Sequence, residues 1–174
     1  RYDELLFIFS LSYEQNLPTW YSSVLLFASG LSLAQRARTA GKHRRYWLAM
    51  AAGLFLASMD EFMELHERLG GLIGTSGVLY IDWIIPASVV MMILVIVFIP
   101  FVRGLSPATR KRFIVAGAIY LGGALLMEMP LGYWTERHGA DNLGYALIDW
   151  VEESLEILGA SLFLSAVRRD EEHP

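Results

Sequence analysis

Apolar residues gather along this chain in five long blocks, near residues 17–36, 46–69, 80–102, 112–134 and 143–167, with short polar segments between them. Roughly 20 helical residues cross the ~30 Å of a bilayer's hydrocarbon, so each block is long enough to span. The pattern predicts an all-α fold: a polytopic transmembrane helical bundle of about five spans, forming one domain over residues 1–174. Asn16-Leu17-Pro18 reads as the start of the first helix, because Asn caps an N-terminus and Pro is tolerated in the first turn. Residues 1–16 hold Leu5, Leu6, Phe7, Ile8 and Phe9. That run is too short to span and reads as an interfacial or plugging segment. Gly70, Gly71, Gly74 and Gly77 predict a flexible loop after the second block.

Basic residues orient the bundle, since Lys- and Arg-rich loops stay cytoplasmic. Arg36, Arg38, Lys42, Arg44 and Arg45 follow the first block, Arg103, Arg110, Lys111 and Arg112 the third, and Arg168 and Arg169 the fifth. These are 11 of the 14 Lys and Arg residues, and all fall on one side. The expected orientation puts the N-terminus outside and the C-terminus in the cytoplasm. Composition agrees with a membrane protein: 55% of residues are hydrophobic and 18% charged, against about 45–50% and 25% in soluble domains. The chain has no Cys, which excludes disulfide scaffolds, thiolate metal sites and Cys nucleophiles. Nucleic-acid binding has no support, because the basic residues form short runs beside apolar blocks.

The acids are distributed the opposite way. Asp60, Glu61, Glu64 and Glu67 lie toward the outer end of the second span, Glu128 toward that of the fourth, and Asp149, Glu152, Glu153 and Glu156 at the outer beginning of the fifth. Asp82 and Glu14 sit near the same level. Solvated loops would be the simplest place for them, above all for Glu61, Glu67 and Asp149. Length opposes that reading: the 13 residues Trp47 to Met59 and the 13 residues Leu155 to Val167 rise only about 20 Å each. At 100° per residue, Asp60, Glu64 and Glu67 fall within an arc of about 60°. Ala49, Gly53 and Ala57 share that face, a small-residue ridge that predicts close helix packing there. Glu128 aligns with Ala124 and Gly117, and the acids of the fifth span align with Ala160.

Nine acids at one depth need neutralising partners, since each costs about 2.5–3.5 kcal/mol at a helix centre. Arg68, Arg137, His66 and His138 supply at most four positive charges. Shared protons, water or bound metal must meet the rest, and divalent metal ions do so most economically, each offsetting two carboxylates. A carboxylate-rich, thiolate-free set suits Zn, Fe, Mn or Ca, with two or more ions. The expected ligands are Asp60, Glu64, Glu67, Glu128, Asp149, Glu153 and Glu156, with His66 ligating from the flank or resting near headgroups. Glu61 and Glu152 are expected behind the ligands or at the rim. The most specific signal is a repeated spacing: Asp-x-x-x-Glu-x-x-Glu occurs at Asp60, Glu64, Glu67 and again at Asp149, Glu153, Glu156. His138 reads as a solvated loop residue and the five Trp residues as an aromatic belt. Pro130 is expected to kink the fourth span and free the Leu126 carbonyl. No nucleophile–base set stands out among Ser58, Ser154 and Ser161.

Glu14-Gln15-Asn16-Leu17-Pro18-Thr19-Trp20-Tyr21-Ser22-Ser23, with Ser58-Met59-Asp60-Glu61, His66-Glu67 and Val151-Glu152-Glu153-Ser154-Leu155-Glu156, resembles a widespread group of uncharacterised bacterial multi-pass membrane proteins. The resemblance covers nearly the whole chain and implies a bacterial inner-membrane location. It implies no activity. The expected function is therefore that of an integral membrane metal-binding protein with a multinuclear carboxylate site in the outer leaflet, a metalloenzyme centre being one form of it. The alternatives are a cation or proton relay using the same acids, or a structural subunit of a homo-oligomer or larger membrane complex.

Overall fold

The structure, a computed structural model, describes residues 7–13 and 15–172, so the expectations for Leu5, Leu6 and Glu14 lie outside the described residues. Among the described residues there is no strand. Six α-helices of more than ten residues carry the chain: α1 (Leu17–Arg36), α2 (Arg44–Met63), α3 (Ile84–Gly104), α4 (Pro107–Leu121), α5 (Glu128–His138) and α6 (Leu143–Glu172). A π-helical segment, Gly122–Met127, joins α4 to α5 as one rod.

The helix starts follow from local chemistry. Asn16 Oδ1 accepts from Thr19 N at 3.2 Å with Pro18 in the first turn, and Ser106 Oγ does the same for Thr109 N with Pro107. α5 stops at Gly139, whose φ of 74° reverses the chain.

α1 packs against α2 and α6, and α6 lies along α4 and the π segment. Two helices are long and apolar enough to cross a membrane: α3, and the rod Pro107–His138. Only 11% of the apolar stretch of α3 is buried. It is held mainly at its ends, by Ile84 (1% exposed) and Phe101 (0%).

Two expectations are corrected here. α2 ends at Met63 rather than continuing to 69, because Glu64 takes a left-handed φ of 52° and returns its N–H to Asp60 O at 2.7 Å. The shared helical arc for Asp60, Glu64 and Glu67 therefore does not exist. Nor is the whole small-residue ridge the packing face: Ala57 packs on the cluster of Leu25, Leu26 and Ala160, but Ala49 and Gly53 are exposed, while Trp47, Ala51 and Ser58 are buried. The large apolar area of Trp47 decides which side turns inward. Ser58 and Ser23 then lock α2 to α1, each hydroxyl donating to the other residue's carbonyl at 2.8 Å.

The core sits at the basic end. Leu33, Trp47, Phe101, Phe113, Ala166 and Val167 form its centre. Trp47 meets Phe101 edge-on at 4.9 Å, and Tyr46 stacks on Phe101 at 5.3 Å. Truncating any one of these aromatics to Ala would cost about 3–5 kcal/mol. Trp47 is thus a core residue and no part of a belt, whereas Trp20 and Trp150 are exposed. Beside the core, Asp170 accepts from Arg36 Nε at 2.8 Å and from Thr109 Oγ1 at 2.9 Å, tying α1, α4 and α6 together. The acids occupy the other end of the bundle.

Candidate functional site

α2 begins the site by the way it stops. The Asp60 carboxylate accepts from His66 N at 3.0 Å through Oδ1, and its Oδ2 lies 2.9 Å from His66 Nδ1, so one side chain folds the turn 64–66 back onto the helix end. Glu64 projects from this turn and accepts from Gln15 Nε2 at 2.8 Å. Burial lowers the affinity of the His66 imidazole for a proton. The Asp60 hydrogen bond and the charges of Asp60, Glu67 and Glu128 outweigh that and hold its pKa above the ordinary 6.5. The ring lies 4.5 Å from that of Trp83.

The loop that follows is built around Asp82, which is 1% exposed. Its Oδ1 accepts from Gly71 N, and its Oδ2 from Ile73 N and Gly74 N, all at 2.8 Å. Gly71 and Gly74 have φ of 78° and 72°, the left-handed region that glycine enters without strain. The N–H groups of Gly74, Ile73 and Gly71 hold the Asp82 carboxyl below its ordinary 3.8. Asp82 is therefore a spent charge, and it ties three backbone N–H groups of the glycine loop to one carboxylate, making a cap. Gly77 N donates to Glu136 Oε2 at 2.8 Å and fastens the cap to α5.

Opposite the cap, the π segment widens the rod and is followed at once by Glu128. The expectation for Pro130 finds its outcome here. With no N–H to offer Leu126 O, the proline is accommodated by the widened turn just before it. Gly123 lets the rod press on α6: a Cβ there would stand 2.8 Å from Glu152 O. Glu128 is 7% exposed; Trp83 Nε1 donates to its Oε1 at 3.2 Å, and its Oε2 is buried with no hydrogen-bond partner among the described residues.

These elements enclose a cavity of about 770 Å³. Asp60, Glu61, Glu64, His66 and Glu67 line one side, and Glu128 a second. Asp149, Glu152, Glu153 and Glu156 line the third, on α6. The nine acids singled out from the sequence on the second, fourth and fifth spans are brought to this one space, and Asp82 joins them. Glu152 and Glu156 are 7% and 8% exposed. Glu61 faces Ser22 of α1. Arg68 and Arg137 are exposed and form no ion pair with these acids among the described residues; Arg137 lies over the Tyr133 ring at 3.7 Å instead. His138 is exposed at the end of α5, stacked on Trp134 at 4.3 Å.

Among the described residues, no three of the His, Asp and Glu side chains converge closely enough to hold a metal ion. The acids are spread over the walls of a chamber and not gathered at a point. Sequence reasoning missed the aromatic part of that wall: Tyr80, Trp83, Tyr120 and Tyr145 all line the cavity. Tyr145 stands four residues before Asp149, a one-turn spacing that carries the signal. Ser58 Oγ is engaged by the Ser23 carbonyl.

Residues 2–169 match the family described as a domain of unknown function (DUF8692). No curated protein matches the chain, and no solved structure does.

Proposed function

The chain belongs to this family, whose domain carries no assigned function, and we propose from its site that it is an integral membrane cation-binding protein. The observation that carries this reading is the pair Glu128 and Glu156. Both are more than nine-tenths buried and both line one cavity, and Glu128 Oε2 has no hydrogen-bond partner among the described residues. Leaving such groups unanswered costs several kcal/mol each, so a cationic occupant is the natural complement. Divalent ions, Zn, Fe, Mn or Ca, would bind to several of Asp60, Glu64, Glu67, His66, Glu128, Asp149, Glu153 and Glu156, with water completing their shells in so wide a chamber.

Five spans, N-terminus outside and C-terminus inside, are part of the proposal. α1 and α2 have 20 residues each, about 30 Å of rise and the thickness of the hydrocarbon. α1 turns Trp20, Val24, Phe27 and Leu31 outward, α2 Leu56, Met59 and Phe62, and α6 Leu147, Leu158 and Leu162. Apolar stripes of that extent suit lipid better than water. The basic loops cluster at the end opposite the cavity, which favours an outward-facing chamber in a bacterial inner membrane.

The test is equilibrium binding on the purified full chain in detergent, with each ion titrated separately after chelation. Saturable binding that Glu128→Gln and Glu156→Gln weaken supports the reading. A folded protein that binds no cation defeats it.

A further inference from the structure

The cavity's shape and lining deepen the reading above, on which this inference rests. A bare ion needs donors gathered around a point, and among the described residues no such group forms. What the walls offer is negative charge at intervals. Asp149, Glu152 or Glu153, and Glu156 follow one another along α6, with about 10.5 Å of rise from first to last. Glu128 adds a further carboxylate from the rod. Between the charges stand Tyr80, Trp83, Tyr120 and Tyr145, and aromatic faces attract alkylammonium groups and cover the methylenes beside them.

The volume points the same way. About 770 Å³ would take roughly 25 water molecules at ~30 Å³ each, far more than a pair of hydrated ions requires. It falls within the ~300–1,000 Å³ typical of chambers for organic ligands. Donor chemistry narrows the class further. Glu128 lines the cavity at 7% exposure and its Oε2 has no hydrogen-bond partner among the described residues, so an occupant that donates hydrogen bonds complements it. Quaternary ammonium ions have no N–H, whereas primary and secondary ammonium groups have two or three each.

We infer that the cavity binds a linear aliphatic polyamine, its ammonium groups meeting successive carboxylates of α6 and Glu128 and its methylenes lying on the tyrosines and Trp83. The polyamine spreads its charge along a chain as the wall spreads its carboxylates.

Isothermal titration of the purified full chain in lipid nanodiscs of neutral lipid tests this, with spermidine and with Mn²⁺ as separate probes. Spermidine is expected to bind saturably at one site. Glu128→Gln and Glu156→Gln should each weaken it by about tenfold or more, and Tyr145→Leu should weaken spermidine but not Mn²⁺. Asp141→Asn, at an exposed acid outside the cavity, should change neither. Circular dichroism establishes that each variant folds, and Tyr145→Leu leaves every carboxylate in place should a Gln variant fail to fold. Binding of Mn²⁺ without spermidine overturns this inference and leaves the cation-binding reading standing. Binding of neither overturns both, and spermidine binding unchanged in all the cavity variants overturns the inference by showing attachment elsewhere.

Discussion

The Asp60 carboxylate grips His66 twice, through the backbone N–H at 3.0 Å and the ring Nδ1 at 2.9 Å, and so ends α2 and opens the chamber in one stroke. A substitution at either residue touches both architecture and electrostatics.

His66 gives the site a pH dependence of definite sign. Its folded pKa lies above 6.5, so the pairing stabilises fully below pH 6.5 and is lost as pH rises through the folded value. Thermal stability should fall from pH 6 toward alkaline pH by the equivalent of about 1 kcal/mol, a figure already reduced for solvent screening at the partly exposed Asp60. His66→Gln should flatten that slope, as followed by differential scanning fluorimetry across pH.

Asp82 acts in the reverse sense. Its pKa is depressed below 3.8 by backbone N–H donors, so its contribution is present above pH 3.8 and is lost as pH falls through the lower folded value. Asp82→Asn keeps one acceptor oxygen where two were used. Amide exchange at Gly71, Ile73 and Gly74 should accelerate by about tenfold or more at neutral pH, while α4 and the core exchange as before.

The rod and α6 touch through glycine. A Cβ on Gly159 would stand 2.5 Å from Tyr120 N, and one on Gly123 2.8 Å from Glu152 O, whereas one on Gly53 meets nothing within 4 Å. Gly159→Ala and Gly123→Ala should destabilise by about 1–3 kcal/mol through overpacking. Gly53→Ala should stabilise by about 0.5–1 kcal/mol as a helix-interior glycine replaced. Reversible unfolding in SDS separates the two outcomes.

At the far end, Asp170→Ala leaves Arg36 and Thr109 without their shared acceptor. A loss of about 3 kcal/mol is expected from the half-broken buried pair, with cation binding in the cavity unchanged. Parallel unfolding and titration measurements on this variant check whether the two ends are independent.

Much of this was legible in the sequence because charge is hard to hide in apolar surroundings. The gathering of Asp60, Glu128 and Glu156 could be read from their depth along long apolar blocks, and Asn16 announced the start of α1 through its cap. What failed was helical continuity past Met63. No glycine or proline marks the break, which arises from Asp60 capturing His66, a contact between residues whose partnership the helical wheel does not register. The roll of α2 was likewise hidden, since small residues at helical spacing look like a packing ridge until Trp47 claims the interior. The Asp82 cap escaped notice because glycines signal freedom of conformation and not the carboxylate that uses it.

Phe101, Trp47 and Phe113 are buried together in the core at the basic end of the bundle, away from the chamber. On the proposed orientation this core stands between the chamber and the cytoplasmic side, so an occupant would exchange with the outer compartment. A guest charge in the chamber would then sense only part of the ~2.3 kcal/mol that 100 mV exerts on full passage.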